Sequence, residues 1–352
     1  MSRTYRSGVR AEHFHPDTRN FFRGRTVAIT GGAGFIGSHL VEQLVSLDAH
    51  CIVLSRSGRT EFLSAVLPAI ELRICDLESL EQTREGMRGA SAVLTLAASV
   101  AGLKYNKEHP ATIFDANMRM FLNVARAAQE SAVERLLVTS SACVYPRFCS
   151  LPTPEEEGFA GEPEPTNSGY GWSKRMQEYL GIQYAQEFGL SVAVARPYNA
   201  YGPRDNFEPE TSHVIPALIR KAFETEADHF DVWGDGSHSR SFLYVDDFSR
   251  GLLEVAARYP AADAVNIGAD EEVTIGDVAR EIGLVVSEIR GKNVVPRFQP
   301  AGLTGQPRRH CDVSKARRIL GFEARVPFRE GLNKTIHWYS ENANYPMPAH
   351  AK

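Results

Sequence analysis

The chain has 352 residues, of which 43% are hydrophobic and 23% are charged, an ordinary composition for a globular protein. Its net charge of -4 argues against nucleic-acid binding, because contacts with phosphodiester backbones require a clustered surplus of Lys and Arg. No apolar run approaches the length of a membrane-spanning helix, about 18 residues, so we expect no membrane insertion.

Residues 1–24 precede the first predicted strand, and we expect a flexible N-terminal arm there. They are rich in Arg but lack the apolar stretch of a secretory signal. A targeting sequence is the alternative, although Glu12 and Asp17 interrupt its basic pattern. The five cysteines form no CxxC pair, which indicates neither a disulfide framework nor a zinc site. We therefore expect a reduced, cytoplasmic protein without a metal.

The first predicted strand, TVAIT at 26–30, ends in the sequence GGAGFIG, and a helical pattern follows from Phe35. Glycines in such a turn let the backbone bend sharply and approach a pyrophosphate, whose charge the helix N-terminus stabilises. A tight turn without a ligand is the alternative. The stretch predicts a dinucleotide site whose contacts include Gly31, Gly34, Phe35, Ile36 and Gly37.

Strands and helices alternate through the first 200 residues. Apolar runs at 51–55, 70–74, 92–96, 135–140 and 191–196 are separated by helical patterns at 77–87, 111–130 and 170–188. This alternation predicts an α/β fold, a Rossmann-type doubly wound parallel sheet, as the dinucleotide-binding domain over 25–200. Elements shorten afterwards, which predicts a smaller α/β substrate-binding region over 201–340 and a loose tail over 341–352.

The end of the second strand distinguishes the two nicotinamide cofactors. A carboxylate there would hold the ribose 2′-hydroxyl of NAD, but the sequence is LSRSGR, and Arg56 suits the 2′-phosphate of NADP. We therefore expect NADP, with NAD as second choice and Arg56 as a solvated side chain. Asp76 is expected to reach the adenine, or else to cap a helix beginning at Leu77. Further cofactor contacts are expected at Leu77, Ala97 and Pro197.

Tyr170 and Lys174 are spaced four residues apart in YGWSK, so both face one side of a predicted helix. A nearby ammonium favours the phenolate and is expected to lower the pKa of Tyr170. The phenol could then exchange a proton with a sugar hydroxyl while hydride moves at the same carbon. Ser140 or Ser141, at the end of the preceding strand, could hydrogen-bond that oxygen.

The motifs TGGAGFIG, SSACVYP, YGWSK, RPYNAYGP and RSFLYVDD occur in the order typical of one family. From about residue 25 to 340 the chain resembles the extended short-chain dehydrogenases/reductases, in their nucleotide-sugar branch. Within that branch, residues 202–222 are similar to GDP-fucose synthases. SSACVYP and WGDGSHSRSF are similar to GDP-mannose 3,5-epimerases as well.

The resemblance implies a nucleotide-sugar 3,5-epimerase that also transfers hydride at C4, acting on a GDP-4-keto-hexose. A C4 ketone makes the hydrogens on C3 and C5 acidic, and inversion needs an acid and a base on opposite faces of the ring. The resemblance assigns these roles to Cys143 and His213, with Ser141, Tyr170 and Lys174 at C4. The alternatives are a small buried hydrophobe for Cys143 and a helix cap or surface residue for His213.

The same resemblance implies a set of residues that bind the nucleotide sugar. Arg240 would bind diphosphate, and Trp233 would pack against the base unless it fills the core. Ser237, His238 and 155–157 are expected to be solvated. Further substrate contacts are expected at Asn199, Val214 and Lys221, with Arg308 and Arg309 near a substrate phosphate. The family also implies a homodimer through the helices at 111–130 and 170–188.

Three rival functions remain. The first is a redox-neutral epimerase with retained NAD, of the GDP-mannose 3,5 or UDP-hexose 4 type. GDP-mannose 3,5-epimerases typically place lysine at the position of His213, whereas the N-terminal arm and Trp172 are not typical of fucose synthases. The second is a non-catalytic dinucleotide-sensing protein, which would not need Tyr170 and Lys174. The third, a 4,6-dehydratase, would want an acidic pair where Ala142 and Cys143 stand.

Overall fold

The computed structural model describes residues 6–100, 102–300 and 306–342. Its strands are β1 (Thr26–Thr30), β2 (His50–Ser55), β3 (Ile70–Ile74), β4 (Ala92–Thr95), β5 (Arg135–Thr139), β6 (Val192–Pro197), β7 (Ala200–Tyr201), β8 (His229–Trp233), β9 (Ser239–Arg240), β10 (Leu243–Tyr244), β11 (Ala264–Ile267), β12 (Val273–Thr274), β13 (Val295–Gln299) and β14 (Arg308–Arg309).

The helices follow the predicted alternation over the first 200 residues. They are α1 (Pro16–Phe22), α2 (Phe35–Ser46), α3 (Leu80–Gly86), α4 (Leu103–Glu108), α5 (Pro110–Glu130), α6 (Ser168–Phe188), α7 (Val214–Glu224), α8 (Val245–Arg258), α9 (Ile275–Arg290), α10 (Ser314–Leu320) and α11 (Phe328–Asn342). Within the part of the chain that the structure describes, no helix is both long and apolar enough to cross a membrane.

The central sheet has seven parallel strands in the order β3-β2-β1-β4-β5-β6-β11. This confirms the predicted doubly wound fold. Val27, Ala28 and Ile29 in β1 are fully buried, because helices cover both faces of the sheet, and this explains why the strands are continuous apolar runs. The strand order reverses between β1 and β4, which is where such sheets bind ligands, at their carboxyl edge.

The residues after 200 do not form a fully separate unit. They have their own core, in which α7, α9 and α11 pack around β8 and β13 through side chains such as Ile219, Phe230 and Ile282. However, β11 is the edge strand of the central sheet, and α8 packs against α2 and against β5 and β6. The C-terminal half of the chain therefore completes the central sheet and one of its helical layers.

The prediction of a flexible N-terminal arm is wrong for residues 6–24. Phe14 and Phe22 are buried in the main core, and α1 packs against α8. The apolar residues of this short segment are too scattered to give a periodic pattern, but they fill a groove that the rest of the fold provides. Residues 1–5, and the predicted tail from residue 343 onward, lie outside the described residues.

The expectation that residues 155–157 are all solvated also needs correction. Glu155 is buried, and its Oε1 accepts a hydrogen bond from the backbone amide of Asn266 at 2.9 Å. Burial raises the pKa of Glu155 above its ordinary value. This side chain therefore ties the loop before α6 to strand β11.

Candidate active site

The glycine turn after β1 has the shape that a dinucleotide requires. Gly31 has φ +66, and a Cβ there would lie 2.9 Å from the amide nitrogen of Ala97. A Cβ on Gly37 would lie only 2.2 Å from the carbonyl oxygen of Gly31. Gly34 is the N-cap of α2 and offers no side chain to the helix amides. The first amides of α2 can therefore receive a phosphate, so the turn fits a bound NAD(P).

The end of β2 presents Arg56 to solvent. Arg56 is exposed and has no hydrogen-bond or ion-pair partner among the described residues, whereas the neighbouring Ser55 Oγ accepts from Gly58 N at 3.1 Å.

The segment after β3 differs from the expected helix start. α3 begins at Leu80 with Ser79 as its cap, and Asp76 accepts instead from Glu78 N at 3.0 Å in a turn.

A cavity of about 440 Å³ lies at the carboxyl edge of the sheet, against the C-terminal region. It brings together all five residues that the sequence assigned to catalysis: Ser141, Cys143, Tyr170, Lys174 and His213. The expected cofactor contacts Phe35, Ile36 and Pro197 line it, as do the expected substrate contacts Asn199, Val214 and Arg240. One cavity is therefore lined by the residues for both expected chemistries.

Lys174 is buried beside Tyr170. Its Nζ donates to the carbonyl oxygen of Thr139 at 2.8 Å and to Gln177 Oε1 at 3.1 Å, and lies 5.6 Å from the centre of the Tyr170 ring. Burial lowers the pKa of Lys174 to about 8, although the charges of Cys143 and Glu178 act in the other direction. The amine thus contacts the ring face and the strand backbone.

The expected lowering of the Tyr170 pKa is wrong for this structure. Burial and the nearby Cys143 raise the pKa of Tyr170 above its ordinary value, and a hydrogen bond with Ser141 only partly opposes them. The other serine that the sequence offered, Ser140, is buried and donates to Glu178. At neutral pH, Tyr170 therefore keeps its proton, which suits a proton donor to a carbonyl oxygen.

Two side chains donate to the sulfur of Cys143. Asn167 Nδ2 lies 3.0 Å from Sγ, and Arg309 Nη1 lies 3.7 Å from it. The backbone of Cys143 is held as well, because its amide nitrogen donates to Ser141 Oγ at 3.1 Å. Asn167 ends a 3₁₀ turn that Glu164 caps by accepting from Thr166 N at 3.0 Å. The side chains of Asn167 and Arg309 can therefore both stabilise a negative charge on the sulfur of Cys143.

His213 is the N-cap residue of α7, with extended backbone angles, φ -77 and ψ 174. Its side chain makes no capping hydrogen bond to the helix, so the alternative role as a helix cap does not describe it. His213 is exposed, as the surface-residue alternative expected, and it is also among the residues that line the cavity together with Cys143.

The expected substrate residues fall into two groups. Asn199 donates to Ser241 O at 2.8 Å and Arg240 to Ser239 O at 2.7 Å, and both line the cavity. Burial lowers the pKa of Arg240 to about 10. Lys221 and Trp233 are not among the residues that line the cavity, and Lys221 Nζ lies 4.7 Å from the centre of the Trp233 ring. Trp233 is 78% exposed, so it does not fill the core.

Sequence reasoning missed several residues that line the cavity. Asn167, Glu164 and Gln306 line the cavity but belong to no catalytic motif, and only the proximity of Asn167 to Tyr170 in TNSGYGWSK could have drawn attention to it. Of the two expected phosphate ligands, Arg308 forms an ion pair with Glu272 at 2.7 Å. Arg309 lines the cavity, and its Nη1 lies 3.7 Å from Cys143 Sγ.

A glycine cradle at the carboxyl edge of a parallel sheet, together with serine, tyrosine and lysine in one cavity, defines a dinucleotide-dependent dehydrogenase or epimerase of the short-chain type. The chain belongs to the NAD dependent epimerase/dehydratase family, whose model matches residues 27–268. This confirms the resemblance to the extended short-chain family and identifies the protein as an NAD(P)-dependent enzyme.

Two relatives illustrate its place in the family. The chain is 35% identical over 333 residues to a probable GDP-L-fucose synthase 1 of Oryza sativa subsp. japonica, a match covering 91% of this chain and 93% of the relative. It is 30% identical over 319 residues to GDP-mannose 3,5-epimerase 1 of the same plant, which covers 90% of this chain and 82% of the relative.

Solved structures match the fold over nearly the whole chain. An epimerase from Methanothermobacter thermautotrophicus has a TM-score of 0.81 at 26% identity, and the match covers 94% of this chain and 97% of that one. A GDP-L-fucose synthetase from Naegleria fowleri bound to NADP has a TM-score of 0.75 at 25% identity, covering 91% and 94%.

Proposed function

We propose that the protein is a nucleotide-sugar 3,5-epimerase that also reduces the sugar at C4, acting on a GDP-4-keto-hexose in the manner of a GDP-fucose synthase. The observation that supports the proposal is the shared cavity, whose lining includes Cys143, His213, Tyr170 and Lys174. A relative named as a probable GDP-L-fucose synthase, at 35% identity, supports the choice of substrate.

Inversion at C3 and C5 is assigned to Cys143 and His213. One of the two removes the proton from the carbon next to the ketone, and the electron pair of that C–H bond moves onto the C4 oxygen as an enolate. The other then protonates the same carbon from the opposite face. Asn167 and Arg309 stabilise the sulfur whenever it carries negative charge. Ser141 hydrogen-bonds Tyr170 and could share the charge on the C4 oxygen.

Reduction at C4 is assigned to Tyr170, Ser141 and Lys174. NADPH, when bound in the glycine cradle, supplies the hydride. Tyr170 donates its proton to the C4 oxygen, for which its raised pKa keeps it protonated at neutral pH. Lys174 is anchored to Thr139 O, so its position relative to the Tyr170 ring is set by strand β5.

NADP is the proposed cofactor because Arg56 offers an exposed guanidinium at the end of β2 that has no partner within the described part of the chain. Replacing Arg56 with Ser should weaken NADPH binding roughly tenfold while leaving NADH binding nearly unchanged, since a charge-assisted hydrogen bond contributes about 1.5–3 kcal/mol. Arg88→Ser, at an exposed arginine paired with Glu85, is the control. Equal losses for both cofactors would contradict the NADP assignment. Fluorescence titration measures both affinities.

The test of the main proposal supplies GDP-4-keto-6-deoxymannose and NADPH in heavy water. We expect NADPH oxidation and a product that carries deuterium at C3 and C5, measured by mass spectrometry and proton NMR. Cys143→Ser should abolish this deuterium incorporation and leave NADPH binding intact. The matched control is Cys149→Ser, because Cys149 is also a half-buried free thiol. Incorporation at the wild-type rate in Cys143→Ser would overturn the role of the thiol.

A second candidate is a redox-neutral epimerase that retains NAD. The 30% identity to a GDP-mannose 3,5-epimerase favours it, and that relative covers 90% of the present chain. Adding GDP-mannose with no external cofactor separates the two functions. Formation of an epimer would support the second candidate, whereas an unchanged substrate together with NADPH-dependent turnover of the 4-keto sugar supports the first.

We further propose a cytoplasmic homodimer that associates through α5 and α6. These two helices pack against each other and still present the exposed apolar side chains of Leu122, Tyr179 and Phe188. All five cysteines are free thiols, in keeping with a reducing compartment. Sedimentation equilibrium should give twice the monomer mass. Leu122→Glu should lower it toward that of the monomer, whereas Leu284→Glu, at an exposed leucine on α9, should not.

A further inference from the structure

The segment of residues 7–18, which we call the N-terminal strap, donates hydrogen bonds to three buried carboxylates. Ser7 N lies 2.7 Å from Glu42 Oε2, and Gly8 N lies 3.0 Å from Asp246 Oδ2. Farther along, His15 N and the Thr18 hydroxyl donate to the two oxygens of Glu254, at 3.0 and 2.6 Å. The acceptors belong to α2 and α8, so the strap crosses both helices.

Two of these carboxylates also hold the loop that follows β7. Glu42 Oε1 accepts from Arg204 Nη2 at 2.6 Å, and the partners are both buried. Asp246 Oδ1 lies 3.1 Å from His39 Nδ1, while the other ring nitrogen of His39 lies 3.0 Å from the carbonyl oxygen of Pro203. Glu42 therefore joins the strap directly to the loop, whereas Asp246 joins the strap to His39 of α2, which in turn contacts the loop.

The loop itself is under backbone strain where these contacts meet it. Arg204 has φ +71, a left-handed conformation that residues other than glycine keep only when surrounding contacts enforce it. Arg204 also donates to Ser38 Oγ at 3.1 Å, so its guanidinium is fixed to α2 at two points. The strain and the buried ion pair together require an exact register between the loop and α2.

The loop can transmit that register to His213. Asn206 Nδ2 donates to Thr211 Oγ1 at 2.8 Å, and Ser212 N donates to Glu208 O at 3.0 Å. Phe207 is buried and stacks on Tyr339, with 4.5 Å between the ring centres. These contacts cross-link the segment between Arg204 and His213, so a shift at one end moves the other.

We propose that Ser7 and Gly8 are positioning residues, whose backbone amides set the loop 202–213 on the cofactor helix α2 and so place His213 opposite Cys143. Without the strap, each carboxylate would lose a donor in a buried position, where an unsatisfied oxygen is costly. Glu42 and Asp246 would then rearrange and release Arg204 and His39. The importance of His213 to the reaction rests on the proposed function, but the effect on the loop does not.

Proline substitution tests the amides, because proline has no N–H to donate. Hydrogen–deuterium exchange should show amides of 203–213 opening roughly ten- to a hundredfold faster in Ser7→Pro, the change expected when a hydrogen bond to a charged group is lost. Ser7→Ala keeps the amide but removes the Ser7 hydroxyl, which accepts from Val9 N at 3.2 Å and from Gln43 Nε2 at 3.4 Å, so exchange in Ser7→Ala should speed up much less than in Ser7→Pro. Gly8→Pro and Gly8→Ala form a second pair, since a Cβ on Gly8 meets Asp246 Oδ2 at an ordinary 3.7 Å.

Peptides from β5 serve as the internal reference and should exchange at wild-type rates in every variant. Unchanged exchange at 203–213 in both proline variants would overturn the proposal. Global unfolding of both proline variants, with both alanine variants folded, would also overturn it, since the amides would then hold the whole fold rather than this loop.

A kinetic measurement links the loop to the reaction. In Ser7→Pro, the ratio of deuterium incorporation at C3 and C5 to NADPH oxidation should fall roughly tenfold, while the affinity for NADPH changes less than twofold. If the amides of the loop exchange faster but the ratio of deuterium incorporation to NADPH oxidation is unchanged, the strap orders the loop without placing His213, and that half of the proposal is overturned. If the wild type itself incorporates no deuterium, the proposed function fails, and the exchange data still decide the structural half of the inference.

Discussion

The glycine cradle and the acid/base cavity lie at the same edge of the sheet but are built differently. The cradle is one continuous segment, 31–37, whose shape depends on contacts within it, such as the approach of Gly37 to the Gly31 carbonyl. The cavity is assembled from separate segments. The donors to Cys143 Sγ, for example, come from 24 and 166 residues farther along the chain.

This difference determines how each site should fail. The cradle depends on close approach between its own backbone atoms, so a single added Cβ can abolish cofactor binding by the whole turn. An assembled cavity contains side chains with separate duties, so removing one should eliminate one chemical step and spare the others. The variants below test that contrast, and we expect their effects to decrease in the order given.

Tyr170→Phe should have the largest effect. Loss of the proton donor should slow hydride transfer by roughly 10²- to 10⁴-fold, the usual contribution of general acid catalysis. Proton exchange at C3 and C5 of a supplied 4-keto sugar should continue, because Cys143 and His213 are untouched. Stopped-flow absorbance of NADPH and deuterium incorporation measure the two steps. Tyr198→Phe, at another tyrosine of the cavity wall, is the control. Loss of both activities would show that the cavity fails as a unit.

Gly37→Ala should weaken NADPH binding by roughly ten- to a hundredfold, since overpacking of this kind costs about 1–3 kcal/mol. The new Cβ would overlap the Gly31 carbonyl oxygen at 2.2 Å, and the backbone must move to admit it. Gly34→Ala is the graded control, because its Cβ would lie 3.3 Å from the same oxygen. Equal affinities of the two variants would mean that clearance within the turn does not govern binding.

The same contrast explains what the sequence could predict. The cradle was readable because its glycines occupy fixed offsets after an apolar strand. Strands β1 to β6 were found to within two residues, because β1, β2, β4, β5 and β6 are mostly buried, largely apolar runs and the edge strand β3, IELRI, alternates apolar and charged residues. Cys143 and His213 came from motif resemblance, and the structure places both in one cavity. The sequence predicts a feature this well when the residues that form it are neighbours along the chain.

The missed features depend on tertiary surroundings. Asn167 and Arg309 are ordinary polar residues until folding brings them to the thiol. The direction of the Tyr170 pKa was mispredicted because burial and Cys143 outweigh the expected effect of a nearby ammonium. The N-terminal segment lacks a periodic pattern, yet buried carboxylates on α2 and α8 give its amides partners. None of these contacts has a signature at short sequence separation.

Asn167→Ala should slow deuterium incorporation at C3 and C5 by roughly tenfold, because one hydrogen bond to the sulfur contributes about 1–2 kcal/mol. Hydride transfer should change less than twofold, since Asn167 contacts neither Tyr170 nor Lys174 by a hydrogen bond. Asn167→Asp should slow incorporation further, because a carboxylate would place negative charge beside the thiol. Alkylation of Cys143 by iodoacetamide should slow in the same order. Similar rates for the two variants would indicate that Asn167 only fills space.

Asp205→Asn concerns stability and should have the smallest effect on turnover. Asp205 is buried in the loop after β7, and burial raises its pKa to about 8, although the Asn206 amide donates to Oδ1 at 2.7 Å. The unfolded chain loses this proton near pH 4 and the folded chain near pH 8, so between these values folding binds a proton and stability falls as pH rises. Urea midpoints should therefore decline less from pH 5 to pH 8 in Asp205→Asn.

Asp235→Asn is the control for that pH dependence, because Asp235 is exposed and its lowered pKa places its titration below this window. The cradle 31–37 contains no titratable side chain, so Gly34→Ala should keep the wild-type slope between pH 5 and pH 8. An unaltered slope in Asp205→Asn would mean that Asp205 is ionised in the folded protein. The loop after β7 would then carry a buried charge, and proton uptake on folding would have to come from another group.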